Sequence, residues 1–311
     1  MTWKRVATAA ILIPVVVAIV LFAPTYVVGI ATGLITVLAL REYFALGDAI
    51  GHRAYRLWTI SSALLILTLQ TLYPVVGFLG AGSNRVRISS LFPGNGGDIS
   101  HHFSTYPANS FIQQVVPNLD LTVVLFLFVL GLTFLTLSTR RPIVESLPAA
   151  GISSSALLLV AFPLSFAVRL HGGSTAGPRL LLFALVITWA ADTFAYFAGR
   201  AFGKHPLAPH ISPKKTWEGS AASMIGSLLV AYAFSFWIKM PLPHLFAMAV
   251  LGNIAGQMGD LLESAYKRSA GVKDSGGLLP GHGGVLDRID ALILCIPVIW
   301  YYLVLVNPPL R

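Results

Sequence analysis

The sequence predicts an all-α, polytopic integral membrane protein, with about nine transmembrane helices around a polar cavity open to the cytosol. Three observations predict it. Of 311 residues, 56% are apolar and only 11% charged, and the mean hydropathy is +0.77, whereas a water-soluble globule carries about 25% charged residues. The apolar residues gather into runs long enough to cross hydrocarbon as helix, the one open-chain structure that satisfies every backbone hydrogen bond within itself. Finally, polar residues inside two of the later runs recur at helical spacing, which gives a bundle one wet face.

The runs are 6–22, 25–40, 57–78, 121–137, 152–168, 180–198, 219–238, 245–262 and 291–306. The second and ninth are short and read as tilted or extended into the interface, so eight to ten spans are expected. The first follows Lys4 and Arg5, as a secretory signal would. It exceeds the usual apolar core of a signal peptide and a second apolar run follows at once, so it is read as a retained helix. Residues 1–150 then hold about four spans and an outer loop, 80–120, rich in Gly, Ser, Asn and Pro, read as irregular except for a short interfacial helix at 111–116. Residues 151–311 hold the remaining spans and two basic loops, 199–218 and 263–290.

Charge sets the orientation. If the spans alternate, fifteen of the 21 Lys and Arg fall on the side of the N-terminus; Arg85, Arg87, Arg169, Arg179, Lys239 and Arg311 fall on the other. The positive-inside rule therefore places the N-terminus and both basic loops in the cytosol. A net charge of +9 on so few ionisable groups implies an anionic partner, lipid headgroups or a phosphorylated substrate. Nucleic acid is not expected, since no basic, aromatic-rich soluble module is present. The single cysteine, Cys295, excludes a disulfide framework and a thiolate zinc site.

Carboxylates inside a span are costly and mark ion, proton or substrate paths. Trp189, Asp192 and Tyr196 share one helical face, and Asn253, Gln257, Asp260 and Ser264 repeat the pattern on a later run. Asn253 and Gln257 also suit plain helix-to-helix bonding; Asp192 and Asp260 point to function.

The two basic loops carry the chemistry. The first contains Ser212, Lys214 and Lys215 beside Trp217, an interface anchor, and three prolines that oppose helix. In the second, five glycines lie within residues 276–284, including Gly276, Gly283 and Gly284. Such a turn lets backbone N–H groups approach phosphate. Lys267, Arg268, Lys273 and Arg288 surround it, and Arg forks onto phosphate. Asp287 and Asp290, three apart at the start of the last run, can hold one hard cation or two, or cap the helix. His282 reads as a proton carrier, a phosphate donor or a turn-holding group. The segment Gly199 to His205 lacks P-loop spacing, and neither a zinc-peptidase His pair nor a serine-hydrolase elbow occurs.

Taken together, Ser264-x-x-Lys267-Arg268-x4-Lys273-Asp274-x-Gly276-x2-Leu279-Pro280-x-His282-Gly283-Gly284-x2-Asp287-Arg288-Ile289-Asp290 resembles the signature of the phosphatidate cytidylyltransferase (CDP-diacylglycerol synthase) family. Asp192-x3-Tyr196-x2-Gly199, the stretch Ser212 to Gly219, and Gly259-Asp260-x2-Glu263-Ser264 resemble the same family. Tyr266 stands where the family usually has an aliphatic residue or Phe, Ser220-Ala221-Ala222 follows Gly219 where more glycine is expected, and the loop 80–120 is enlarged.

The resemblance implies an enzyme. A phosphate oxygen of phosphatidic acid would attack the α-phosphorus of CTP, giving CDP-diacylglycerol and pyrophosphate. It further implies Mg²⁺, with room for a second cation, on Asp260 and Asp287, assisted by Asp290 and completed or oriented by Asp192. Lys214, Lys215, Lys267, Arg268, Lys273 and Arg288 would cradle phosphates, with the 276–284 turn offering backbone donors, His282 would stand among the catalytic groups, and Ser212 and Ser264 would contact substrate. A homodimer is implied by family analogy alone. On this reading Asp287→Asn abolishes turnover without harming insertion or folding. The rival readings are a CTP-dependent polyprenol or phytol kinase, an ether-lipid cytidylyltransferase, and, more distantly, an ion-coupled transporter, which the missing inverted repeat disfavours.

Overall fold

The computed structural model describes residues 2–80, 121–139, 142–278 and 283–306. Ten α-helices are found among the described residues: α1 (Thr2–Phe22), α2 (Thr25–Ala49), α3 (Arg56–Gly80), α4 (Leu121–Ser138), α5 (Ser146–Ala156), α6 (Phe162–Gly172), α7 (Gly177–Phe202), α8 (Trp217–Ser235), α9 (Leu242–Ser269) and α10 (Leu286–Val306). A π-helical turn, Leu157–Ala161, joins α5 to α6, so Ile143–Gly172 is one rod of 30 residues.

Eight of the nine apolar runs lie wholly on helix, and the run 219–238 does so up to Ser235. Among the described residues, six helical segments are long and apolar enough to cross a membrane: Thr25–Ala49, Leu121–Ser138, Ile143–Gly172, Gly177–Phe202, Leu242–Ser269 and Leu286–Val306. Large apolar side chains such as Ile30, Leu34, Phe134 and Leu229 are exposed on the bundle's outside. That surface suits lipid and not water, so the chain is an integral membrane protein.

The helices outrun their apolar windows, because the backbone ladder needs no lipid once it has formed. α9 continues from the last apolar window residue, Leu262, to Ser269, and α10 starts at Leu286. Lys267 and Arg268 therefore stand on a helix, as do Asp287 and Asp290, and the expected loop 263–290 contracts to 270–285. The expected loop 199–218 contracts likewise, since α7 reaches Phe202. Its remainder is an antiparallel hairpin, β1 (Pro206–Ala208) and β2 (Ser212–Thr216), with Pro206 opposite Thr216 and Ala208 opposite Ser212. Two-stranded pairing leaves one edge of each strand free, where proline is tolerated. Thr216 ends the hairpin and caps α8, its hydroxyl accepting from Gly219 N at 3.2 Å.

One core serves both halves of the chain. Leu40 and Phe44 of α2 share it with Leu164 and Phe166 of α6, Phe183 of α7, and Ile293 and Ile296 of α10. α7, α8, α9 and α10 pack in sequence, and α10 also touches α6, α7 and α2. The α9–α10 crossing is close because α9 presents glycines: a Cβ at Gly252 would meet Cys295 Sγ at 3.1 Å, and one at Gly256 would meet the Ala291 carbonyl at 3.5 Å. Small residues let membrane helices approach in this way, which brings Asp260 beside Asp290. The outer loop beyond Gly80, with its expected helix at 111–116, lies outside the described residues, as do Arg140, Arg141 and His282.

Candidate active site

Two adjoining charged clusters form where α7, α9 and α10 meet the hairpin. The first lines a cavity of about 260 Å³ walled mainly by α7, α8, α9 and β2, with Leu207 of β1 and Ala291 of α10 completing it. Asp192 and Tyr196 of α7, Lys214 and Lys215 of β2, Ser220 and Ser223 of α8, and Asn253, Gln257 and Asp260 of α9 face it. Lys215 is ion-paired with Asp260, both side chains half-buried. Of the predicted polar face, Asp192, Tyr196, Asn253, Gln257 and Asp260 line this cavity beside both adjacent lysines, whereas Trp189 and Ser264 are not among its lining residues.

The lower part of that face is saturated with its own bonds. Asn253, 2% exposed, donates to Ser227 Oγ at 2.8 Å and to Ser223 Oγ at 3.2 Å. Gln257 donates to Ser223 Oγ at 3.0 Å and accepts from Ser220 Oγ at 2.6 Å. These amides join α8 to α9, whereas Asp192 stays open to the cavity.

The second cluster fastens the glycine-rich turn. Lys267 Nζ donates to Asp287 Oδ1 at 2.6 Å and pairs with Glu263 one helical turn back. Asp287 also accepts from Gly284 N at 2.8 Å and Ser275 N at 3.1 Å. Its neighbour Gly283 has φ +79, a conformation that glycine adopts without cost. Asp287, in the first turn of α10, therefore ties the glycine-rich turn to α9 in one set of contacts. Asp290 joins the two clusters: it stands near enough to Asp260, Glu263 and Asp192 for their charges to repel, and its Oδ1 accepts from Ala291 N at 2.7 Å.

The remaining predicted residues are more peripheral. Arg268 donates to the carbonyls of Ile211 and Val272 at 3.4 Å each, which ties the hairpin to the end of α9. Ser212 sits on β2, Ser264 is buried on α9, and Lys273 is exposed beyond it. Arg288 is exposed on the first turn of α10, close enough to attract Asp192. The hairpin's other end is fixed by His205, whose Nδ1 lies 2.6 Å from Glu218 Oε1. Its own backbone N–H and His205 hold the Glu218 carboxyl down at about 2.

Glu42 of α2 was not expected here. It is 9% exposed and accepts from Leu286 N at 2.8 Å, Val285 N at 3.0 Å and Ser275 Oγ at 3.1 Å. A Cβ on Gly276 would stand 2.6 Å from Glu42 Oε1, and one on Gly284 would collide with Ser275 Oγ and Glu42 Oε2. Two glycines of the turn are thus spaces for a carboxylate arriving from the far end of the chain.

Comparison with known proteins places the chain in a family. The profile of the cytidylyltransferase family matches residues 99–306. The chain belongs to the cytidylyltransferase family. Phosphatidate cytidylyltransferase of Bacillus subtilis is 36% identical over 157 residues, covering 50% of this chain and 58% of the relative. The phosphatidate cytidylyltransferases of Haemophilus influenzae and Staphylococcus haemolyticus are each 45% identical, over 132 and 125 residues, covering 46% and 48% of those relatives. The chain thus spans about half the length of the curated relatives it matches. The family match contains both clusters but begins well after Glu42.

Proposed function

We propose that this protein transfers the cytidylyl group of CTP to phosphatidic acid, giving CDP-diacylglycerol and pyrophosphate, with the charged cavity facing the cytosol. The observation that carries this is the meeting of Asp192, Asp260, Lys214 and Lys215 on one cavity wall within a family of cytidylyltransferases. The names of the relatives supply the lipid substrate. The polarity of the bundle supports it: an apolar exterior accommodates acyl chains while the charged end meets a soluble triphosphate.

In the reaction a phosphate oxygen of phosphatidic acid forms a bond to the α-phosphorus of CTP as the bond to the β-phosphate breaks, and pyrophosphate leaves with the electron pair. Both substrates are polyanions, so positioning and charge neutralisation are what the protein must supply. Lys214 and Lys215 line the cavity, where they would take phosphate oxygens; Arg268, Lys273 and Arg288 would add positive charge at the exposed side. Lys267, held between Asp287 and Glu263, would fix the geometry of both carboxylates. Arg288, one residue on, extends from the turn that Asp287 holds.

A divalent cation fits the donor set in one way. Among the described residues no three Asp, Glu, His or Cys side chains form a cage, but Asp192 and Asp260 share the cavity. Mg²⁺ is commonly held by one or two carboxylates with substrate phosphates and water. Asp192 and Asp260 would hold it, with Asp290 behind them. When bound, it would neutralise the triphosphate and polarise the α-phosphorus.

The test is to supply the detergent-solubilised protein with labelled CTP, phosphatidic acid and Mg²⁺, with and without EDTA. A lipid-soluble cytidine product that disappears with EDTA is the expected result. Phosphorylated lipid with free CDP, or no consumption of CTP, would overturn the proposal.

A further inference from the structure

Glu42 and its three donors lie more than 230 residues apart in sequence, so this contact is made only by the fold. The carboxylate meets donors alone: Oε1 takes Val285 N, while Oε2 takes Leu286 N and Ser275 Oγ. Val285 and Leu286 open α10, where unpaired N–H groups and the helix dipole favour a negative charge. Ser275 belongs to the other arm of the turn, and its backbone N–H bonds Asp287. Glu42 and Asp287 therefore grip the same turn from opposite sides, and between them fix where Asp287, Arg288 and Asp290 leave the first turn of α10.

A carboxylate costs several kcal/mol to bury without partners, and an apolar residue at Glu42 would leave two backbone donors and a hydroxyl unmade. The cavity is walled mainly by α7, α8, α9 and β2, none of which Glu42 bonds, and α10 adds only Ala291 to its lining. The influence of Glu42 should thus fall on the groups that α10 carries and not on nucleotide binding. We propose that Glu42 is a positioning residue: from α2 it sets the glycine-rich turn and the start of α10, and thereby the catalytic geometry of Asp287, Arg288 and Asp290. This rests on the cytidylyl-transfer reading for its catalytic part and on the geometry alone for the clasp.

Glu42→Gln keeps the volume but turns an amide NH₂ toward donors. In the 311-residue chain in detergent, kcat should fall about 100-fold, the order expected when reacting groups are displaced by about 1 Å, while KM for CTP stays within about threefold. Hydrogen exchange needs no substrate: the Val285 and Leu286 amides should exchange about tenfold faster, the cost of one lost bond, with α7 unchanged. Wild-type exchange at those amides, or kcat per folded, monodisperse protein within about twofold of wild type, would overturn the proposal. Should Glu42→Gln fail to fold, Glu42→Asp keeps the charge and shortens the reach by one methylene. It should lie between wild type and Gln in both measurements, and wild-type values in both would overturn the clasp. If wild type forms no lipid-soluble cytidine, the transfer reading falls, and the exchange result still decides the clasp.

Discussion

Lys267 on the last turn of α9 holds Asp287 on the first turn of α10, Nζ to Oδ1 at 2.6 Å, with both side chains at most 12% exposed. Glu263 shares the same ammonium. Removing one partner of a buried pair strands the other's charge, at about 3–5 kcal/mol. Lys267→Met should therefore lower the thermal unfolding temperature in detergent and abolish turnover together. Lys267→Arg, whose planar fork cannot take the place of a point charge between two carboxylates, should restore part of the stability and little of the activity. A Met variant as stable as wild type would show that the pair holds nothing.

Asp287 itself separates two roles. As a cation ligand only, it could be changed to Asn without cost to folding. In the fold it accepts from Lys267, Gly284 and Ser275, so Asp287→Asn should lose turnover and also unfold earlier, by about 1–3 kcal/mol. Unfolding temperatures and product formation, measured on one preparation, check this. Unchanged stability with lost activity would return Asp287 to a purely metal-binding role.

What could be read in advance follows from how local the signal was. Apolar runs report lipid exposure residue by residue, so eight of the nine windows lie wholly on helix, and the offsets of Asp192, Tyr196, Asn253, Gln257 and Asp260 place them on one cavity because helical period is local. Hydropathy marks where lipid ends and not where the backbone ladder ends, so Lys267 and Arg268 read as loop residues and stand on a helix. The hairpin at 206–216 was missed because Ser212-Pro-Lys-Lys-Thr216 has no alternation of polar and apolar residues. Glu42 was illegible for a different reason: after Arg41 and just beyond an apolar window it reads as an ordinary interface charge, and its partners Ser275, Val285 and Leu286 are reached only through folding.

The amide ladder between α8 and α9 gives a contrasting prediction. Asn253 lines the cavity but spends both its donors on Ser227 and Ser223. Asn253→Ala should cost about 0.6–2 kcal/mol of stability, as interhelical hydrogen bonds in membranes do, with kcat unchanged within about twofold. A loss of more than about tenfold in kcat/KM for CTP at unchanged stability would place Asn253 in the nucleotide site.

Cation removal tests how the site is charged. Asp260 already has a partner, since Lys215 neutralises it, and no three-ligand cage stands among the described residues. The cation should therefore arrive with the triphosphate and not reside in the protein. EDTA should abolish turnover yet leave the unfolding temperature of the nucleotide-free protein unchanged, whereas CTP with Mg²⁺ should raise it, by mass action on the folded state. Lys215→Met should weaken CTP binding by about 10- to 100-fold, the value of a hydrogen bond to a charged group. It should also free Asp260 to bind a cation without nucleotide, so that Mg²⁺ alone now raises the unfolding temperature. If wild type already gains stability from Mg²⁺ alone, a resident cation site exists and Lys215 does not keep Asp260 closed to it.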